Sequence, residues 1–166
     1  MLKERVTYER GTFDIIWHDS TDFSSLDDIR QAYGILFDEQ GKIIIVRVTP
    51  DGRWSLPGGT VEPGEYYEET LVREIMEEAD VLVENITPIG YQEIIDIKEG
   101  KSIPSHYQLR YVATIKEVLP QTIDPGHGTI PERLFIKPSE FLTYCPWGIT
   151  GEHMMKKAVE WFNSIK

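Results

Sequence analysis

Apolar residues between Tyr66 and Ala79 recur at helical spacing, which predicts a helix over this segment. At about 100° per residue they share one side of that helix. The residues on this side are Leu71, Val72, Ile75, Met76 and Ala79. Because that side has to pack into a core, the direction of the opposite, polar side is constrained.

The polar side carries Glu74, Glu77 and Glu78 at positions i, i+3 and i+4. Their carboxylates project within an arc of roughly 100° and repel one another. A run of charges is usually just a solvated helix face, but here we expect a cation between the carboxylates. Since the donors are hard oxygens with no His or Cys nearby, Mg²⁺ or Mn²⁺ is favoured over zinc.

The loop before the helix supports the same interpretation. Gly58 and Gly59 let the backbone bend tightly and approach a ligand, and a freed carbonyl there adds an oxygen donor. Arg73 lies beside the acidic side. Glu65 is placed either to pair with Arg73 or to interact with the positive end of the helix.

The stretch from Gly59 to Val81 resembles the Nudix box, Gly-x5-Glu-x7-Arg-Glu-U-x-Glu-Glu-x-Gly-U, where U is a bulky aliphatic residue. It covers 23 of 166 residues and keeps eight of nine fixed positions. The matching residues are Gly59, Glu65, Arg73, Glu74, Ile75, Glu77, Glu78 and Val81. Asp80 stands where the family has glycine, at a helix C-terminus where a left-handed residue is common. Because Asp tolerates that conformation better than most residues, we expect only a local cost.

The resemblance implies a fold and an activity. Nudix hydrolases are α/β/α sandwiches with a mixed β-sheet, and they cleave a nucleoside diphosphate linked to another group, X, with divalent cations, usually Mg²⁺. By the resemblance, metal ligands would come from the carbonyl of Gly59 and from Glu74, Glu77 and Glu78, one of which helps to activate water. Arg73 and Glu65 would hold the loop–helix geometry, and Gly58 and Gly59 would approach the substrate.

The rest of the chain predicts an α/β domain spanning residues 1–166. Its N-terminal 28 residues form an arm or hairpin, with β-formers between Val6 and His18. A second hairpin joins Gln31–Phe37 to Lys42–Val48 through Gly41. Further strands are expected at Val81–Val83, Ile89–Ile97, Tyr107–Ile115 and Arg133–Ile136, with a short helix from Pro138 and a C-terminal helix over Gly151–Ile165.

Composition excludes several classes of protein. The formal net charge of −11 disfavours a long nucleic acid as partner. One cysteine, Cys145, rules out an internal disulfide framework and favours a reducing compartment. No apolar run approaches a signal peptide or a membrane span, so we expect a cytoplasmic protein without a membrane partner.

Several alternatives stay open at this point. X can belong to a nucleoside triphosphate, a nucleotide sugar or ADP-ribose, or a dinucleoside polyphosphate, and a homodimer is left open. A catalytically silent module that binds a nucleotide is the main competitor, although such modules typically lose the carboxylates that are kept here. Glu117, Glu132 and Glu140 are unranked candidates for an extra base outside the box.

Overall fold

The computed structural model describes residues 1–166 and contains nine strands and three α-helices. The strands are β1 (Leu2–Tyr8), β2 (Gly11–His18), β3 (Ile29–Phe37), β4 (Ile43–Arg47), β5 (Gly58–Thr60), β6 (Val81–Lys98), β7 (Lys101–Ser102), β8 (His106–Val118) and β9 (Glu132–Ile136). The helices are α1 (Tyr67–Ala79), α2 (Phe141–Tyr144) and α3 (Gly148–Ser164), and a 3₁₀ turn over Pro138–Glu140 precedes α2.

All nine strands belong to one mixed sheet. Its main path runs β1-β2-β6-β8-β3-β4-β9, with β5 added to β3 and β7 to β6. Strands β3 and β8 run parallel, in a register that includes Tyr33 opposite Arg110, whereas the other pairs are antiparallel. The mixed sheet predicted by the resemblance is therefore confirmed.

Side chains from alternate positions of the central strands are buried on both faces of the sheet. On β3, Leu36 joins a core cluster with Leu71 and Ile75 of α1, while Phe37 joins a second cluster with Phe162 of α3. The rings of Phe37 and Phe162 stack with their centroids 4.5 Å apart. A sheet covered on both faces reads as continuous apolar runs, as β3 and β4 do. The expected α/β/α sandwich is confirmed.

Helix α1 begins one residue later than predicted and ends where predicted. Its buried residues include the predicted Leu71, Ile75 and Ala79, but not Met76, and Val72 is 44% exposed, so the buried side is narrower than predicted. The residue after it, Asp80, adopts the left-handed conformation with φ 51° and ψ 49°. The expected backbone geometry at the helix end is thus confirmed.

Strand β6 and helix α3 depart most from the prediction. The runs expected at Val81–Val83 and Ile89–Ile97 belong to one strand, β6, whose pairing with β8 is interrupted by register shifts between them. Helix α3 starts at Gly148, three residues before Gly151. The extra turn is capped by Glu4 on β1, whose carboxylate accepts the backbone N–H groups of Ile149 and Thr150 at 3.2 and 3.1 Å.

None of the helices combines the length and the apolar character needed to cross a membrane.

Candidate active site

The glycine loop and α1 meet because the short strand β5 pairs with β3. Gly58 lies so close to β3 that a Cβ atom on it would overlap the carbonyl oxygen of Ala32 and stand 2.6 Å from the Cα of Tyr33. The backbone N–H of Gly58 donates to the Glu78 carboxylate at 3.0 Å. A side chain at position 58 would therefore push the loop away from both the sheet and the helix.

Arg73 ties the start of α1 to the loop before it. Its Nε donates to Glu65 Oε2 at 2.8 Å, its Nη2 to Glu65 Oε1 at 3.0 Å, and Nη2 also reaches the Thr60 carbonyl at 3.0 Å. The Arg73 guanidinium, helped by the N–H of Glu62, lowers the pKa of Glu65 to about 2. Of the two placements expected for Glu65, the structure has the pairing with Arg73, a two-pronged geometry that fixes orientation as well as distance.

The same guanidinium is shared with two carboxylates of the acidic side. Arg73 Nη1 donates to Glu74 at 3.0 Å and lies 3.4 Å from Glu77. Burial nevertheless raises the pKa of Glu74, against the opposing effect of Arg73. The carboxylate of Glu74 packs directly on Gly59, where a Cβ atom would lie 2.5–2.7 Å from its carbon and oxygens. Gly59 is thus needed for the present position of Glu74.

Of the three glutamates on the acidic side of α1, Glu78 has the fewest partners that offset its negative charge. It forms no salt bridge, and its one hydrogen bond comes from Gly58. Burial raises the pKa of Glu78 to about 8, and the nearby charges of Glu74, Asp124 and Glu77 act in the same direction. In the absence of a cation, these influences favour the protonated form of this carboxyl.

Asp124 is a buried acidic residue outside the box whose charge acts on Glu74 and Glu78, and the sequence analysis missed it. Its negative charge contributes to the raised pKa values of both Glu74 and Glu78. It lies in the loop between β8 and β9, is only 2% exposed, and accepts hydrogen bonds from the N–H of Gly126 at 2.8 Å. Its Oδ2 also lies 3.1 Å from Nδ1 of His127.

The residues present suit a hard divalent cation. All candidate ligand atoms are oxygens. The Arg73 guanidinium pairs with Glu65, Glu74 and Glu77 and leaves Glu78 without a cationic partner, so negative charge is in excess. In the conformation described, no three acidic, His or Cys side chains already converge as a ligand set. Arg73 instead occupies the space between Glu74 and Glu77. A cation bound here would replace Arg73 as the positive partner of Glu74 and Glu77.

The three candidates for an extra base lie apart from this site. Glu132 pairs with Arg47 on the neighbouring strand, and Glu140 accepts the N–H of Lys137 at 2.9 Å. Glu117 is exposed near the end of β8. A single Asp in a loop rich in Pro and Gly gave no pattern that could have identified Asp124 in their place.

Arg110 on β8 is a second residue that the sequence analysis did not single out. It is 2% exposed, forms no salt bridge, and burial lowers its pKa to about 10. Its guanidinium lies over the ring of Tyr33 at 4.8 Å and donates to Gln92 at 2.8 Å, while its Nε has no partner. The charges of Arg110, Glu74 and Glu78 all affect the pKa of Tyr33, but neither glutamate affects the pKa of Arg110.

Comparison with known proteins assigns the fold to a family. The family model of the NUDIX domain matches residues 28–147, well over half of the chain. The chain belongs to the Nudix family. The matched region includes the whole Nudix box, and the resemblance that the box carries is confirmed.

Two Nudix relatives share sequence around the box. A Bacillus subtilis (strain 168) protein named as an 8-oxo-dGTP diphosphatase is 47% identical over 69 residues, 42% of this chain and 40% of that protein. The nucleoside triphosphatase NudI of Salmonella typhimurium is 49% identical over 49 residues, 28% of this chain and 35% of that protein. The match thus spans less than half the length of either relative.

A solved Nudix structure extends the likeness to the whole chain. The crystal structure of the Bacillus subtilis pyrophosphohydrolase BsRppH (E68A mutant) superposes with a TM-score of 0.75 and covers 96% of this chain and 97% of that one. The two sequences are 20% identical, so this similarity concerns the fold. It includes the regions before and after residues 28–147.

Proposed function

We propose that this Nudix protein hydrolyses the diphosphate linkage of a nucleoside diphosphate joined to another group, X, with the help of a divalent cation. The observation that carries the proposal is the place of Glu78, a carboxyl beside the glycine loop with one hydrogen bond, from Gly58, and no cationic partner. The raised pKa of Glu78 agrees with this position. Perturbed carboxyls of this kind concentrate at functional sites. The surplus of carboxylates over cationic groups around it supports a cation as the missing partner.

Within this proposal, the box residues divide the work. Glu74, Glu77, Glu78 and the carbonyl of Gly59 would hold Mg²⁺ or, as an alternative, Mn²⁺. Such a cation neutralises the diphosphate and lowers the pKa of bound water. Glu78, once its proton has left, is the most buried of the acceptors. Arg73 keeps its tie to Glu65, which leaves the loop in place while the carboxylates turn toward the cation.

The substrate is proposed to be a small nucleotide. The net charge of −11 opposes a long nucleic acid, while a divalent cation can join a phosphorylated small molecule to an acidic site. The relatives' names point first to nucleoside triphosphates as test compounds. We also propose that residues 1–166 act as one domain, and that the protein works in the reducing cytoplasm, which suits its single buried thiol, Cys145.

The test is phosphate and nucleotide release from a panel of compounds, each with Mg²⁺, with Mn²⁺ and with EDTA. The panel contains nucleoside triphosphates (including 8-oxo-dGTP), nucleotide sugars, ADP-ribose and dinucleoside polyphosphates. The proposal expects turnover of at least one compound, abolished by EDTA. Turnover of none, together with a thermal shift from one nucleotide, would contradict it and favour the silent binding module.

A further inference from the structure

Asp80 departs from the glycine of the Nudix box, and its side chain does more than tolerate the left-handed backbone. It is 4% exposed, which is unusual for a carboxylate unless it is hydrogen-bonded. A glycine would supply the same backbone geometry more easily and without a carboxylate to satisfy. The aspartate must therefore be explained by what its carboxylate contacts.

The carboxylate of Asp80 binds one residue twice, 42 positions further along the chain. Its Oδ2 accepts the backbone N–H of Thr122 and its Oδ1 accepts the Thr122 hydroxyl, each at 2.7 Å. The main-chain carbonyl of Asp80 also accepts the N–H of Leu119 at 2.9 Å. Hydrogen bonds to an ionised acceptor are roughly twice as strong as neutral ones. Asp80 thus fastens the segment after β8 at two points.

Arg133 on β9 reinforces the same junction. Its Nη1 donates to the carbonyl of Ala79 at 2.8 Å and its Nη2 to the carbonyl of Leu119 at 2.8 Å. The final carbonyls of α1 and the start of the loop are therefore held by one guanidinium. We call the contacts of Asp80 with Leu119 and Thr122, together with those of Arg133, the Asp80 clamp.

The clamp places Asp124. Two residues after Thr122, the loop folds into a turn closed by the N–H of Asp124 donating to the Thr129 carbonyl at 2.8 Å. The Asp124 side chain is buried within this turn, where it accepts the N–H of Gly126 at 2.8 Å, and its charge contributes to the raised pKa values of Glu74 and Glu78. Asp80 holds this turn to the end of α1 through Thr122, and on its other side the Thr129 hydroxyl donates to the Val48 carbonyl at 3.0 Å.

We propose that Asp80 is a positioning residue: its carboxylate fastens the β8–β9 loop to the end of α1 and thereby holds Asp124 at the acidic site as a fourth carboxylate. This inference rests on the proposed function for its effect on turnover. The clamp itself, and the effect of Asp124 on cation affinity, can be tested without any substrate.

The first test compares Asp80→Gly with the wild type in the full chain. Glycine keeps the left-handed helix end and removes the clamp's side-chain bonds. We expect faster hydrogen exchange at the amide of Thr122 and through the turn to Thr129, and a Mn²⁺ dissociation constant raised about tenfold, the scale of a lost supporting contact. Asp80→Asn keeps one acceptor oxygen and should fall between the two. Ile123→Ala, in the same loop with its side chain exposed, should change neither.

The second test uses Asp124→Asn alone and combined with Asp80→Gly, on a compound that the wild type hydrolyses. Asp80→Gly should lower kcat by about tenfold with little change in KM. Because Asp80 acts through Asp124, adding Asp80→Gly to the Asp124→Asn protein should lower kcat by less than about threefold.

Either arm can overturn the inference on its own. Multiplicative effects on kcat in the double variant would mean that Asp80 acts by another route. Unchanged loop exchange and unchanged Mn²⁺ affinity in Asp80→Gly would refute the clamp. A wild type that binds Mn²⁺ but turns over nothing would defeat the proposed function, while the exchange and affinity arm still decides the role of Asp80.

Discussion

Glu78 is held in the apoprotein by opposing influences. The N–H of Gly58 favours its ionised form, whereas burial and the charges of Glu74 and Asp124 disfavour it, and together they raise its pKa to about 8. Glu65, eight residues before Arg73, shows the reverse: its pairing with Arg73 lowers its pKa to about 2. Two carboxylates in one short segment thus differ in protonation because one has a full cationic partner and the other does not.

This difference predicts how the stability of the apoprotein depends on pH. A Glu with an ordinary pKa near 4.5 in the unfolded chain and about 8 in the folded one binds a proton more tightly when folded. Its stabilising effect is therefore complete below about pH 4.5 and is lost as the pH rises to about 8. Between pH 6 and pH 8.5 Glu65 is ionised in both the folded and the unfolded chain, so it adds no slope in that interval.

The measurement is the Tm in EDTA at pH 6 and at pH 8.5 for the wild type and for Glu78→Gln. We expect the wild type to lose about 5 °C more than the variant over this interval, the shift caused by about 1–2 kcal/mol in a domain of this size. Because both proteins are measured over the same pH interval, contributions that they share cancel in the comparison. Equal losses would show that Glu78 is not protonated in the folded apoprotein.

At the scale of residues, the sequence predicted those site residues that lie close together along the chain. The i, i+3, i+4 spacing of the box glutamates could be placed on one helix side without any structure. Asp124 could not, because its approach to the site depends on the path of a loop almost fifty residues further along. Asp80 was interpreted only as a backbone compromise, since its partner, Thr122, is distant in sequence.

At the scale of elements, the contact between β5 and α1 determines where the acidic side of α1 lies. At this contact Gly59 of β5 packs directly against the Glu74 carboxylate. We expect Gly59→Ala to leave the Tm within about 2 °C, because the atoms in its way are the movable end of a side chain. The kcat should fall by about tenfold or more, since Glu74 is displaced. Thr60→Ala is the matched control: the side chain of Thr60 is exposed, and its carbonyl still accepts Arg73.

The check is kcat and Tm for the two variants under identical conditions. A Gly59→Ala protein with wild-type turnover would mean that the position of Glu74 does not matter to the reaction. A Gly59→Ala protein that fails to fold would place the role of Gly59 in the scaffold rather than in the site. Either result would mean that the contact between Gly59 and Glu74 does not explain the activity.

Elements with a strong period were predictable, and those that depend on distant partners were not. Helix α1 and the β3–β4 hairpin follow from apolar spacing and from the turn at Gly41. The continuity of β6 was hidden by its register shifts and by Pro88, which breaks the apolar pattern within it. The first turn of α3 depends on a cap from Glu4 at the other end of the chain.

At the scale of the whole molecule, one sheet joins the two ends of the chain to the site. Strand β2 pairs with β6, and α3 covers the face of the sheet opposite α1, so both regions outside residues 28–147 contribute to the same core. The chain carries a net charge of −11, and four of its carboxyl groups act on one another near α1: those of Glu74, Glu77, Glu78 and Asp124. Such a charge distribution is costly unless a cation compensates it.

The most direct test of this account is the kcat of Glu78→Gln beside that of Glu69→Gln, on a compound that the wild type hydrolyses with Mg²⁺. Both variants replace one carboxyl group of α1 by an amide, but Glu69 is exposed in the first turn, away from the glycine loop. We predict a loss of about a hundredfold or more for Glu78→Gln. Glu69→Gln should stay within about twofold of the wild type. Near-normal turnover by a folded Glu78→Gln protein would contradict the assignment of the cation site.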